Sequence, residues 1–491
     1  MLKNVLTVML GTLSSRVLGL LRQAVFNALF PDGLKDAFNV AYRVPNLLRE
    51  LLAEGAVQNA LIPVLKGLPA EEARRFSRRF GAFLLGVNLL VLGLGYLLAP
   101  YLALLLIAPG SHLREAGAFQ EVVFLIRLLL PFLLFISLAA LFSAFLQAEE
   151  RFWPSSFAPV AFNLVSILLM ALWPGNPTAL GLSVTLGGLF QALVQLPFLR
   201  GFFLEWGLHP AFKTALLRMG PFVFTTSLRQ FLNLVLVNVL TRYPQAAVTG
   251  FYNAEVVFQM ALGLFATSPA TALFPRLSGL AREDGRGFVR LLEGGVARMA
   301  FFLGLLGGVL TGLAPYLVVV LFGLFGPLSP ENRTYSAQVL SAMGFAVLPW
   351  GLNTLLLRGL YALGRVGEAV SVSALIFALN TLGYWALREA GLFALNLATA
   401  GAGYLGFLLY LWLLRRLGMG PRGAVLAWAR AFLPGLGAAG VGVVLQAFWP
   451  AATLKEALLP LLLGGVGSGL VYLGLALLIG VPVRALLSRR I

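Results

Sequence analysis

The chain contains no cysteine, only two histidines and few charges, with Asp, Glu, Lys and Arg making up 11% of its 491 residues. The first absence excludes disulfides, a thiolate nucleophile and any Cys-ligated metal. The second leaves His112 and His209, too few for a histidine-rich metal centre, so no metal site is expected. The third separates the chain from soluble proteins, where about a quarter of residues are charged. Also missing are a phosphate loop ending in Lys-Ser/Thr, an HExxH helix and a GxSxG elbow in strand–turn–helix context. Glycine strings such as GGVGSG at 464–469 lie inside apolar runs instead. No ATPase or hydrolase chemistry is therefore expected.

What is present is apolar: 59% hydrophobic residues, with 54 Gly and 26 Pro besides. Several runs reach the roughly 20 residues needed to cross a hydrocarbon core of about 30 Å. They lack the alternation of a β-barrel. The expected class is an all-α polytopic membrane protein with about fourteen transmembrane helices. The spans fall near 3–29, 35–65, 77–108, 119–147, 154–173, 178–202, 216–241, 247–275, 289–322, 335–362, 368–387, 391–415, 424–448 and 458–480.

Charge supports that count. In a soluble protein the net charge of +17 would suggest nucleic acid; here it reads as the basic bias of cytoplasmic loops, and no nucleic-acid partner is expected. Alternate loops hold Lys66, Arg74, Arg75, Arg78, Arg79, Arg151, Arg282, Arg286 and Arg415, among others. The opposite set holds only Lys35, Arg114, Arg242, Arg333, Arg388 and Lys455. Both termini are expected in the cytoplasm, with the basic loops touching anionic membrane lipid. Residues 2–30 lack a short apolar core with a small-residue cleavage site, so the first helix should remain as a span. The polar break near 203–215 and the Arg415–Arg416 pair suggest two six-span halves, 1–205 and 206–418, followed by an appendage at 419–491.

The most informative stretch is 36–58, DAFNVAYRVPNLLRELLAEGAVQ. Its polar residues are Asp36, Asn39, Arg43, Asn46, Glu50, Glu54 and Gln58, spaced by three or four, with Arg49 alongside. That spacing makes one polar stripe on a helix, and Pro45 within it should kink the helix. Between membrane-like flanks the stripe should line a hydrated cavity, because a charge facing lipid costs on the order of 3 kcal/mol. The first span carries a second stripe of Thr12, Arg16, Gly19, Gln23 and Asn27, flanked by Arg22.

Two readings of these charges stand side by side. Arginine forks match phosphate oxygens, so Arg16, Arg22, Arg43 and Arg49 could receive a diphosphate. Alternatively they pair with Asp36, Glu50 and Glu54 and pin the helices together. In the second half, Arg229 and Glu255 could pair, while Arg298 and Arg358 snorkel towards the interface. Asn233, Asn238, Asn380, Asn396 and Thr399 could offer oxygens to a sodium ion, although helix-to-helix bonding suits most of them better.

Several segments resemble the MurJ (MviN) lipid II flippase family of the MOP exporter superfamily. They are SRVLGLLRQ at 15–23, DAFNVAYRVPNLLRELLAEGAVQNALIPVL at 36–65, FAPVAFNLVSI at 157–167, LGGLFQALVQLPFL at 186–199 and LLLRGLYALGRVGEAV at 355–370. The resemblance implies two six-helix lobes in a V, MATE-like, plus two C-terminal helices that form a groove for a lipid tail. It implies transport of undecaprenyl-diphosphate-linked peptidoglycan precursor from the cytoplasmic to the periplasmic leaflet of the bacterial inner membrane, without covalent chemistry. Lipid II is then the substrate partner, and the cell-wall synthesis machinery a further one. By position, Arg16, Arg22, Asp36, Arg49 and Glu54 match charged positions of the family's cavity, joined here by Arg43 and Asn46. The chain departs from the family at Gln23, at Glu50 and in the eighth span at Val256, where an arginine is expected. Arg229 is proposed to replace that arginine. The rival readings are a flippase for another polyprenyl-diphosphate oligosaccharide, a MATE-like antiporter, and a non-transporting cell-wall scaffold.

Overall fold

The computed structural model describes residues 2–52, 56–199, 202–418 and 422–487, and among these there is no β-strand. The chain divides into two compact units, Met1–Val248 and Thr249–Ile491.

The first unit contains α1 (Leu2–Leu29), α2 (Asp32–Leu52), α3 (Ala56–Lys66), α4 (Ala70–Leu106) and α5 (Ala116–Leu129). It continues with α6 (Phe132–Ala148), α7 (Phe152–Leu172), α8 (Pro177–Leu193) and α9 (Phe212–Leu240). α1 lies along α7, α7 along α8, and α8 also packs on α5 and α6. α2 runs through Pro45 as one helix. Hydrocarbon offers no water to polar groups, so these groups bond helix to helix. Asn163 donates to the Ser15 carbonyl at 3.2 Å, Ser166 to the Ser183 carbonyl at 2.7 Å and Thr185 to the Leu128 carbonyl at 2.8 Å. Leu90, Leu97 and Leu105 of α4 are more than 60% exposed, as a lipid-facing surface requires.

The polar stretch read as the boundary between halves is a docked strap. Arg79 donates from Nε and Nη2 to Glu205 Oε1 at 2.9 and 2.6 Å, and from Nη1 to the Leu208 carbonyl at 2.9 Å. Buried His209 accepts the Ala211 N–H at Nδ1 (3.1 Å), which leaves Nε2 to donate to Glu72 Oε2 at 3.0 Å. The Phe212 ring then packs edge-on against Phe76 and Phe80. Anchored in this way, α9 packs on α2, α3 and α4 and belongs to the first unit. The compact units part at 248/249.

The second unit contains α10 (Ala247–Leu262, beginning at the boundary), a π-helical turn at Gly263–Thr267, α11 (Ser268–Glu283), α12 (Gly285–Gly312), α13 (Ala314–Phe322) and α14 (Pro330–Ala362). It ends with α15 (Val366–Ala386), α16 (Leu392–Arg416), α17 (Arg422–Phe448), α18 (Leu454–Leu478) and α19 (Val483–Leu487). α12 is its centre, packed on α14 and α17. Gly304, Gly308 and Gly312 repeat every fourth residue, so they share one face of α12. A side chain at any of them would strike the backbone of Ala431, Gly435 or Ala439 on α17. α18 is held by buried Tyr472, whose hydroxyl donates to the Phe301 carbonyl at 2.7 Å, and by Ser468, which donates to the Ala438 carbonyl at 2.8 Å.

Eleven helices or helix pairs among the described residues are long and apolar enough to cross a membrane, which makes this an integral, multi-pass membrane protein. The three other expected spans correspond to α1, α2 with α3, and α9, the segments that carry the charged stripes and Arg229.

Two outcomes are expected. Gly308→Leu should wedge α12 from α17 and destabilise the protein by about 1–3 kcal/mol or more, seen as a lower melting temperature in detergent. The hydrogen bond from Arg79, with its charge, holds the Glu205 carboxyl below its ordinary value of 4.5. A depressed carboxylate contributes stability above its unfolded pKa and loses it as pH falls through the folded one. Melting temperature should therefore fall below about pH 4.5, and Glu205→Gln should flatten that dependence.

Candidate anion-binding site

α1 and α2 carry the charges expected to meet a ligand. Arg22 is half-buried, its guanidinium 5.1 Å from the centroid of the Phe162 ring on α7. Arg49 and Tyr42 of α2 are its electrostatic neighbours. Arg16, two turns earlier on α1, is also half-buried and has its Nη1 sealed without a hydrogen-bond partner. Among the described residues neither Arg16 nor Arg22 forms an ion pair. A ring face offsets part of the desolvation of a guanidinium but supplies no negative charge. The donor fork of Arg22 is thus left for an anion.

One turn of α2 orients Arg49. Asn46 Oδ1 accepts from Arg49 Nε at 3.1 Å and from Nη2 at 2.9 Å, while Asn46 Nδ2 donates to Glu50 Oε1 at 3.2 Å. Glu50 Oε2 also accepts from Gln230, a buried residue of α9. These contacts run through neutral amides, which fix the orientation of Arg49 and Glu50. Arg43 is half-buried on the same helix and engaged in its own contacts.

Asp36 is held within the protein. It is fully buried, and its Oδ2 accepts the Ala246 N–H at 2.7 Å with His112 Nε2 at 3.6 Å. Thr241 Oγ1 accepts the Ala108 N–H at 2.9 Å, and Asn238 donates to the Leu105 carbonyl at 3.0 Å. Three helix corners, 30–36, 105–115 and 238–246, are therefore tied together at one end of the unit. Asp36 is an anchor of that seal. Glu54 and the side chain of Arg229 lie outside the described residues; Arg229 is placed only as a backbone position on α9.

The oxygens considered for sodium fall in both units. Asn233 is half-buried on α9. In the second unit the Thr399 hydroxyl meets Tyr384 Oη at 2.6 Å, and Asn380 Nδ2 lies 3.5 Å from the same Tyr384 oxygen. Asn396 donates to the Leu392 carbonyl at 2.8 Å. The carbonyl oxygens of Asn380 and Asn396 are buried without partners. Phe162, Gln230, His112 and Ala246 were not singled out from sequence. Each acts through a partner at least 76 residues away, a range that local periodicity does not reach.

Residues 25–464 match the family described as lipid II flippase MurJ. A Vibrio cholerae serotype O1 protein, named probable lipid II flippase MurJ, is 31% identical over 99% of this chain and 97% of its own length. The chain belongs to the lipid II flippase MurJ family. A solved structure described as lipid II flippase MurJ in an inward closed conformation covers 98% of this chain and 99% of its own, with TM-score 0.79 at 20% identity. An inward-facing multidrug resistance MATE family transporter of the MOP superfamily covers 82% and 95%, with TM-score 0.63 at 15% identity. The fold is thus shared between the MurJ family and its MATE neighbours in the MOP superfamily. The MurJ match takes in α2 and its stripe, and it begins just beyond Arg16 and Arg22.

Asp36→Ala strips the Ala246 N–H of its acceptor inside a sealed corner. It should cost about 1–3 kcal/mol, measured as a lower melting temperature, whereas Asp36→Asn keeps an acceptor oxygen and should cost less.

Proposed function

We propose that the protein moves the diphosphate-linked lipid II precursor from the cytoplasmic to the periplasmic leaflet of a bacterial inner membrane by alternating access, with both termini in the cytoplasm. The single observation that carries the site is Arg22: half-buried, stacked on Phe162, without an ion pair among the described residues and electrostatically coupled to Arg49. Two neighbouring guanidiniums repel each other, and a dianionic diphosphate relieves that repulsion while accepting both forks. Arg16 adds a third cation along α1. Arg43 and Asn46 line the approach on α2, with Asn46 holding Arg49 in aim. Arg229 is proposed as a further contact from α9.

The reading needs no bond made or broken. The head group binds, the protein changes state, and the head group leaves on the other side. Such a ligand biases two states only through contacts that differ between them, and the arginine–diphosphate contacts are of that kind. For energy coupling, the unpartnered carbonyl oxygens of Asn380 and Asn396 are the atoms a sodium ion would take.

Purified protein in nanodiscs should bind lipid II, and Arg22→Ala or Arg49→Ala should each weaken binding roughly 10- to 100-fold, the worth of a charge-assisted hydrogen bond. Arg22→Lys should recover only part, because it restores the charge without the fork. Arg229→Ala should abolish rescue of a flippase-depleted bacterium. Wild-type transport by an Arg22→Ala/Arg49→Ala double variant in proteoliposomes would remove the proposal.

A further inference from the structure

The polar stripe of α2 has an aromatic neighbour that diphosphate binding does not use. Phe38 and Tyr42 stand one turn apart on that helix, their rings parallel to within 4° and their centroids 5.8 Å apart. At that separation parallel rings are offset, and each keeps part of its face clear of the other. Both residues are half-buried. Behind them, buried Phe26 lies 5.3 Å from Phe38 and buried Phe132 lies 6.2 Å from Tyr42. Phe132 in turn meets Phe162, the ring beside Arg22, at 5.9 Å. The rings form a continuous wall from Phe38 to the Arg22 guanidinium, drawn from α1, α2, α6 and α7 of the first unit.

The register of α2 aligns this wall with the anion site. Tyr42 and Arg49 are seven residues apart, two turns less about 20°, so Phe38, Tyr42 and Arg49 lie along one line of the helix. Arg22 is the electrostatic neighbour of both Tyr42 and Arg49, which places it beside that line. From Arg49 towards the sealed corner at 30–36, Tyr42 comes about 10 Å along the axis and Phe38 about 6 Å further. Asn39 and Arg43 each follow a ring by one residue, about 100° round the helix, and give the rings a polar edge. Among the described residues the Tyr42 hydroxyl makes no hydrogen bond. Rings that serve packing alone need neither an open face nor a polar edge. A pyranose needs both: its C–H face carries partial positive charge and rests on the negative face of an aromatic ring, while its hydroxyls need partners at the rim. Two rings one turn apart, about 5.4 Å, suit two linked sugars.

We propose that Phe38 and Tyr42 form a carbohydrate subsite next to the anion site, Tyr42 taking the sugar attached to the diphosphate and Phe38 the second sugar. The subsite rests on the flippase reading and deepens it: the arginines hold the diphosphate common to polyprenyl-linked precursors, and the two rings select among them by the sugars they carry.

The test uses the full chain in nanodiscs and three peptide-free probes: undecaprenyl diphosphate, the same lipid carrying the first sugar of the peptidoglycan precursor, and the same lipid carrying both. Wild-type protein should bind them with rising affinity. Tyr42→Leu keeps apolar bulk and removes the ring; it should weaken both sugar-bearing lipids about three- to tenfold and leave undecaprenyl diphosphate unchanged. Phe38→Leu should weaken the two-sugar lipid alone, and Tyr42→Phe, which keeps the ring face, should retain most of the preference. Each variant is read as the ratio of affinities between lipids, which a loss of folded protein does not move. Arg22→Ala tests the flippase reading separately, because it should weaken all three lipids by a common factor. An equal loss for all three lipids in Tyr42→Leu, or wild-type ratios in both leucine variants, would overturn the carbohydrate subsite.

Discussion

A guanidinium in a low-dielectric setting has to be solvated by something, and what solvates it decides what the protein can bind. Carboxylates would neutralise it and close the site. In the first unit they are largely elsewhere. Asp36 is spent on the Ala246 N–H, Glu72 on His209, and Glu205 on Arg79. Arg22 has a ring face beside it, and an amide oxygen orients Arg49. A ring face and an amide oxygen hold a cation in place without discharging it, so where the acids went matters as much as where the arginines stand.

The two units solve helix association differently. The first relies on polar bonds between helices and on a strap clamped to α4. The second relies on bare backbone contact, with three glycines of α12 pressed against α17. Close contact of this kind is dispersion-driven and intolerant of added volume. The polar seams tolerate shape change better but depend on every donor finding its acceptor. Each device suits a setting in which lipid competes poorly for hydrogen bonds and equally well for apolar surface.

Much of this was legible in the sequence. Apolar runs located the helices, and three- and four-residue spacing put Asn46, Arg49 and Glu50 within reach of one another on α2. Periodicity gives the face of a helix but not what that face meets. Asp36 sits in phase with the stripe, yet its partner lies 210 residues away at Ala246. The docking of the strap was hidden for a related reason. Residues 203–215 are polar and look like a linker, because nothing local reveals that Arg79 and Glu72 are waiting for them. Thr399 was weighed as an ion ligand from its residue type, whereas its hydroxyl is engaged by Tyr384, one helix away.

The Asp36 anchor has an implication for biogenesis. Ala246 is held at φ 75°, a left-handed conformation that an alanine seldom adopts unaided. The bond from its amide to Asp36 helps hold the corner in that conformation. During synthesis the chain must make seven further helices, α3 to α9, before that amide leaves the ribosome. The seal of the first unit is thus completed by its last few residues, and a nascent chain cut short before them would lack one of the contacts that hold the Asp36 carboxylate.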